Sequence, residues 1–170
     1  MIVMNKSIIL NAMGSIEIKA PSFSKTITTE VVCYNDTNPM GILQGGRLVQ
    51  WMDISAAVCA QTHAGETCVT ASIHEVDFNA SARLGDMITI NAVITRAFVS
   101  SMEIFAEAFA KNPRAGKKFS ICQAYFTFVA INESGKPTRV NPVEPLTELE
   151  LEQYNNALQR KEKKAREKRF

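Results

Sequence analysis

Apolar side chains cover one stretch of the chain on every side. From Arg47 to about His63, Leu48, Val49, Trp51, Met52, Ile54, Ala56, Ala57, Val58, Cys59 and Ala60 form no single stripe, which marks a buried helix and not a surface one. Ala64-Gly65 supplies its C-terminal stop. On either side the pattern changes to alternation. Ser24 to Tyr34 is rich in β-branched residues and predicts a strand that leads into the turn Asn35-Asp-Thr-Asn38. Thr67 to Asn79 reads as a long extended segment. Ile88, Ile90, Ala92 and Ile94 alternate with Thr89, Asn91, Val93 and Thr95, the period of a half-buried strand. Met102, Ile104, Ala106, Ala108 and Ala110 alternate with Glu103, Phe105, Glu107, Phe109 and Lys111 in the same way. Asn112-Pro-Arg-Ala-Gly-Lys117 is a hairpin loop, and Phe119 to Ile131 is a last strand apolar on both faces.

The order is strand, long helix, then four strands on short connections. Short connections imply antiparallel neighbours, because parallel pairing needs crossovers of about a dozen residues. A single curled sheet wrapped around the helix would bury it on most sides, which gives an α+β fold. Residues 25–137 hold this domain. Residues 1–24 form an N-terminal extension, in which Ile2-Val-Met and Ile8-Ile-Leu10 are interrupted by Asn5, Lys6 and Asn11. Residues 138–170 form a linker with Pro142 and Pro145, then a helix opened by the capping box Thr147-Glu-Leu-Glu150 with Leu146 and Leu151 as its staple. Leu151, Tyr154 and Leu158 fall on one face of that helix, which is expected to pack lightly and end in a solvated basic tip.

Composition narrows the function classes. In 170 residues, 46% hydrophobic content is enough for a core. Net charge is +2, yet residues 159–170 hold seven basic and two acidic side chains, so +5 sits at the tip and −3 on the rest. A mildly acidic body with a basic tail and no interleaved aromatics argues against nucleic acid as a partner. No apolar run approaches the roughly 18 residues of a membrane span. Cys33, Cys59, Cys68 and Cys122 show no ligand spacing and no secretion signal precedes them, so reduced thiols in a cytoplasmic setting are expected. No metal site and no cofactor is expected.

Asp53 is the single acid in the middle of the apolar helix. A carboxylate there costs several kcal/mol unless it faces a wet pocket or fixed partners. Gly46 lies seven residues earlier, two turns up the same face and about 10 Å along the axis. Gly45-Gly46 stands at the helix N-terminus, where free N–H groups and the macrodipole favour a polarised oxygen, and glycine lets a carbonyl approach. Asn38 adds an amide in the loop just before. The helix therefore carries a carbonyl-polarising end and a carboxylate.

At these residues the chain resembles a known family. Asn38-Pro-Met-Gly-Ile-Leu-Gln-Gly-Gly-Arg-Leu-Val-Gln-Trp-Met-Asp53 is similar to the signature of hotdog-fold acyl-CoA thioesterases, in the branch of the cytosolic long-chain acyl-CoA hydrolases. The resemblance implies the hotdog fold, with five to six strands around the helix, and hydrolysis of acyl-CoA without a cofactor. It also implies Asn38, Gly46 and Asp53 as catalytic residues, with Gly46 N–H as the oxyanion donor and Asp53 as general base or nucleophile. Ser100-Ser101-Met102-Glu103 resembles a family segment that contributes to binding coenzyme A, although Phe98-Val99 departs from the residues usual before it. Gly45, Thr70 and Arg83 are further candidates to line the ligand. In such relatives the site forms between protomers, so Asn38 of one subunit is expected to meet Asp53 of another in a dimer, and the family suggests a hexamer built as a trimer of dimers.

Rival chemistries find less support. Neither His63 nor His74 has the His-Phe-Pro-Gly context of a hotdog dehydratase, and His74 is expected to be packed or hydrogen-bonded within its strand. No Gly-x-Ser-x-Gly elbow exists. The remaining alternative is a non-catalytic acyl-CoA-binding regulator or scaffold that keeps the fold without turnover.

Overall fold

The computed structural model describes residues 17–114 and 116–167 of the chain. The first sixteen residues, most of the expected extension, lie outside them. Five strands and two helices follow one another: β1 (Thr26–Val31), α1 (Gly45–Ala64), β2 (Thr67–Phe78), β3 (Met87–Ala97), β4 (Ser101–Lys111), β5 (Lys118–Ile131) and α2 (Glu148–Glu167). All strand pairs are antiparallel, in the order β1-β3-β4-β5-β2. β4 is central, and β2 returns across the sheet to the far edge.

The alternation predicted from sequence sets the two faces. Ile88, Ile90, Ala92 and Ile94 of β3 and Met102, Ile104, Ala106, Ala108 and Ala110 of β4 are buried and share one core with Leu48, Met52, Ala56, Cys59 and Ala60 of α1. The opposite residues, among them Glu103 and Tyr125, face α2. α1 stops where its sequence says it should: Gly65 takes the left-handed conformation at φ 70 and its N–H bonds back to Gln61 O at 2.8 Å.

One expectation for α1 changes. The sheet covers only part of its circumference, and Ile54 and Val58 remain 52% and 44% exposed in the single chain. Five strands curl too little to close around a helix. Beside this flank runs β2, an edge strand with Val69, Ile73 and Phe78 also exposed.

α2 differs as well. Its capping box forms as predicted, with Glu150 N donating to Thr147 Oγ1 at 3.2 Å and Thr147 N donating to Glu150 Oε2 at 3.0 Å. Yet Leu146, Leu151 and Leu158 point outward, and the buried face carries Tyr154, Ala157 and Arg160. The basic tip is not wholly solvated either. Arg160 forks onto Glu103 of β4 and lies 3.7 Å from the Tyr125 ring centroid, Lys161 covers the Phe98 ring, and Lys164 donates to Ser72. A long cationic stem can lay its methylenes on a sheet and still reach an acid, so a charge run need not mean a solvated face.

Candidate active site

The loop before α1 is held by its own polar groups. Asn38 Oδ1 accepts from Met40 N at 3.0 Å and Ile42 N at 3.2 Å, which closes a tight turn and leaves the Nδ2 donor uncommitted among the described residues. Asp36 is buried and anchors both ends of the turn: Oδ2 accepts from Cys33 N at 2.9 Å, and Oδ1 meets Arg47 Nε at 2.8 Å. Arg47 belongs to the first turn of α1, so this ion pair fixes the direction in which the helix leaves the loop.

Gln44 opens α1 without a side-chain cap, because its amide donates instead to Thr37 O at 2.8 Å. The first intrahelical bond runs from Leu48 N to Gln44 O. The N–H groups of Gly45, Gly46 and Arg47 therefore have no acceptor within the helix. At Gly46 an added Cβ would meet nothing within 4 Å, so the backbone there is open to a ligand. Two turns further on, Asp53 is half-buried and its Oδ1 accepts from Thr70 Oγ1 of β2 at 2.8 Å. That bond orients the carboxylate and leaves its second oxygen free of this partner.

Arg83 reaches the same neighbourhood through backbone pairing. Its segment bridges Ile42, Leu43 N donates to Ala82 O at 2.9 Å, and Asp86 Oδ2 accepts from Arg83 N at 2.8 Å. Backbone bonds thus join the Arg83 segment to the loop that runs from Asn38 to Gly45, and the Thr70 hydroxyl ties Asp53 to β2.

Ser100 and Ser101 are elsewhere. They turn the chain from β3 into β4, with Phe98 N bonded to Ser101 O at 2.7 Å. Ser101 has the strand parity of Glu103 and lines a cavity of about 290 Å³ between α2 and the outer face, with Ser72, His74 and Arg160. Within one chain it is separated from Asp53 by the sheet.

Sequence reasoning missed the network beside that cavity. Glu103 is 4% exposed and accepts from Thr95 Oγ1 at 2.7 Å, Arg160 Nη2 at 2.7 Å and Arg160 Nε at 3.1 Å, with His74 Nε2 at 3.4 Å. Burial alone would raise its carboxyl, but the bonds from His74, Arg160 and Thr95 outweigh burial and bring it down to about 2. As expected, His74 is a packed residue, stacked on Tyr125. The ion pair spans 57 residues, and the alternation of β4 gives no sign of it. Among the described residues, no group of three His, Cys, Asp or Glu side chains stands ready to hold a metal.

Comparison with known proteins adds to this geometry. The thioesterase superfamily profile matches residues 40–117. The chain is 34% identical over 146 residues to the uncharacterized acyl-CoA thioester hydrolase YkhA of Bacillus subtilis, covering 86% of this chain and 85% of that protein. It is 40% identical over 121 residues to mouse acetyl-coenzyme A thioesterase, covering 71% of this chain but only 22% of that protein; it thus spans about a fifth of that longer relative. Among solved structures, a hexameric acyl-CoA thioesterase superposes with a TM-score of 0.86 at 37% identity, covering 89% of this chain and 97% of the other. The Staphylococcus aureus acyl-CoA hydrolase in complex with butyryl coenzyme A and coenzyme A superposes at 0.83 with 34% identity, covering 89% and 93%. That hydrolase was also solved with alanine in place of an asparagine, an aspartate and a threonine, spaced by fifteen and then seventeen residues. Asn38, Asp53 and Thr70 have the same order and spacing.

Proposed function

The chain belongs to the thioesterase superfamily, and from that membership we propose that it hydrolyses acyl-CoA thioesters to a free fatty acid and coenzyme A. The observation that carries the reading is Asp53, held by Thr70 two turns along an apolar helix whose uncapped N-terminus is open at Gly46. The thioester carbonyl oxygen accepts the Gly46 N–H, where the helix dipole favours the negative charge that develops as the carbon becomes tetrahedral. Asp53 then takes a proton from attacking water, or attacks the carbonyl carbon itself to give a mixed anhydride that water opens. Either way the C–S bond breaks and the sulfur leaves with a proton as the free thiol. An acyl adduct on Asp53, sought by mass spectrometry during a single turnover, distinguishes the routes.

A second copy of the chain completes the site in this reading. The exposed flank Ile54, Val58 and Ile73 adjoins the free edge of β2, and an apolar patch beside an unpaired edge strand favours another copy of the same surface. Asn38 of one protomer then brings its uncommitted Nδ2 to the thioester beside Asp53 of the other. Ser101, on the outer face, and its neighbour Ser100 reach coenzyme A only from a further copy, which fits assembly as a trimer of dimers.

Replacing Thr70 by valine keeps the shape and removes the bond that orients Asp53. We expect kcat to fall about tenfold with the thermal midpoint little changed, since both groups keep access to water. Steady-state hydrolysis and a melting curve measure the two quantities.

Release of free thiol from a panel of acyl-CoAs tests the function itself. A hydrolase releases one thiol per substrate consumed and sets its preferred chain length in the same assay. A non-catalytic regulator or scaffold binds acyl-CoA and releases none.

A further inference from the structure

β2 reverses its faces twice. Thr70 pairs with Phe128 and Ser72 with Thr127, so Ala71 is an extra residue; His74 pairs with Tyr125 and Asp77 with Gln123, so Glu75 and Val76 together face Ala124. Each inserted residue exchanges inside for outside in all that follows. Glu75 is at φ +50, in the left-handed region that a non-glycine residue enters only at a cost. The second bulge turns Asp77 outward, where Oδ2 accepts from Gln123 Nε2 at 3.3 Å, and turns Phe78 toward α1. With the first bulge alone, alternation from His74 would have done the opposite.

Phe78 meets the start of the helix. An added Cβ on Gly45 would lie 3.1 Å from its Cζ and 3.2 Å from its Cε1, whereas at Gly46 the same test finds open space. The ring therefore covers the Gly45 flank of the N-terminus and leaves Gly46 clear. It is nonetheless 56% exposed, so core burial does not explain its place.

We propose that Phe78 is a positioning residue of the thioester site, its ring walling the Gly45 side of the α1 N-terminus so that a carbonyl oxygen approaches the Gly46 N–H from the open side only. Gly45 is glycine to seat the ring. This inference rests on the hydrolase reading.

Acyl-CoA hydrolysis by Phe78→Ala, Phe78→Leu, Gly45→Ala and Gly45→Ala/Phe78→Leu, with Asp53→Asn alongside, tests it. Phe78→Ala should lower kcat about tenfold with KM within about twofold, and Phe78→Leu should regain most of the loss. Gly45→Ala, whose Cβ pushes the ring by a few tenths of an ångström, should lose part of what Phe78→Ala loses, and the smaller leucine in the double variant should restore it. A Phe78→Ala kcat within about twofold of the parent, or a rise in KM alone, overturns the proposal. If Phe78→Ala does not fold, the Gly45 pair decides: rescue by leucine supports the proposal and continued loss overturns it. An inactive Asp53→Asn beside an unaffected Phe78→Ala removes only the role of Phe78. An active Asp53→Asn removes the hydrolase reading of this site.

Discussion

Asp53→Asn is expected to abolish thioester hydrolysis while leaving the fold as it is. The amide is the same size, and its oxygen still accepts the Thr70 hydroxyl bond that Asp53 Oδ1 accepts at 2.8 Å. What disappears is the only carboxylate on α1, and with it both the proton acceptor and the nucleophile. General-base catalysis is worth about a hundredfold to ten-thousandfold, so kcat should fall by about a thousandfold. Substrate affinity should change little, because the free N–H donors at the start of α1 remain. Steady-state rates, acyl-CoA binding to the variant and a melting curve separate these effects. An unchanged melting curve with lost turnover identifies chemistry; lost turnover with an early melt identifies damage to the fold.

The second large effect is on stability. Glu103→Ala leaves the Arg160 guanidinium, whose side chain is 12% exposed, without its carboxylate between α2 and the sheet. Removing one partner of a buried pair costs about 3–5 kcal/mol, mostly through the charge left behind. Denaturant unfolding should report a loss of this size, with α2 the first element to lose amide protection. Replacing Glu103 and Arg160 together by apolar residues should cost much less. The same pair gives acid sensitivity its sign. The Glu103 carboxyl lies at about 2 in the folded chain against an ordinary 4.5, so the unfolded chain binds its proton first as pH falls. Its contribution, about 3 kcal/mol, is complete above pH 4.5 and is lost as pH falls toward 2. Glu103→Gln should flatten that part of the stability curve.

Much of this architecture was legible in the residues. Ile88, Ile90, Ala92 and Ile94 show their period on their own, and each is buried to 1% exposure or less. Gly65 and the Thr147–Glu150 box mark helix ends by local backbone chemistry, which sequence records directly. The candidate site was legible for a related reason: Asn38, Gly45, Gly46 and Asp53 lie within sixteen residues, so helix geometry alone relates most of them. What escaped depends on pairings between distant segments. The bulges of β2 follow from its register with β5, some fifty residues later, and Glu75 carries a positive φ that no glycine announces. The alternation of β4 gives Glu103 no sign of burial, because the arginine that covers it comes from another element. The exposed flank of α1, with Ile54 and Val58, has the composition of a core. A single chain cannot bury it, and the surplus is the strongest sign of a partner copy.

Hybrid assembly tests the shared site most directly. Asn38→Asp keeps the Oδ1 acceptor that closes the loop and removes the Nδ2 donor, while Asp53→Asn removes the acid. Each variant alone should be inactive. When equal amounts are dissociated and reassociated together, half the dimers are hybrids and each hybrid holds one intact site of two, so about a quarter of the parent activity should return. If subunit exchange is complete and no activity returns, Asn38 and Asp53 do not act across two protomers, and the account of a site shared between copies of the chain is contradicted.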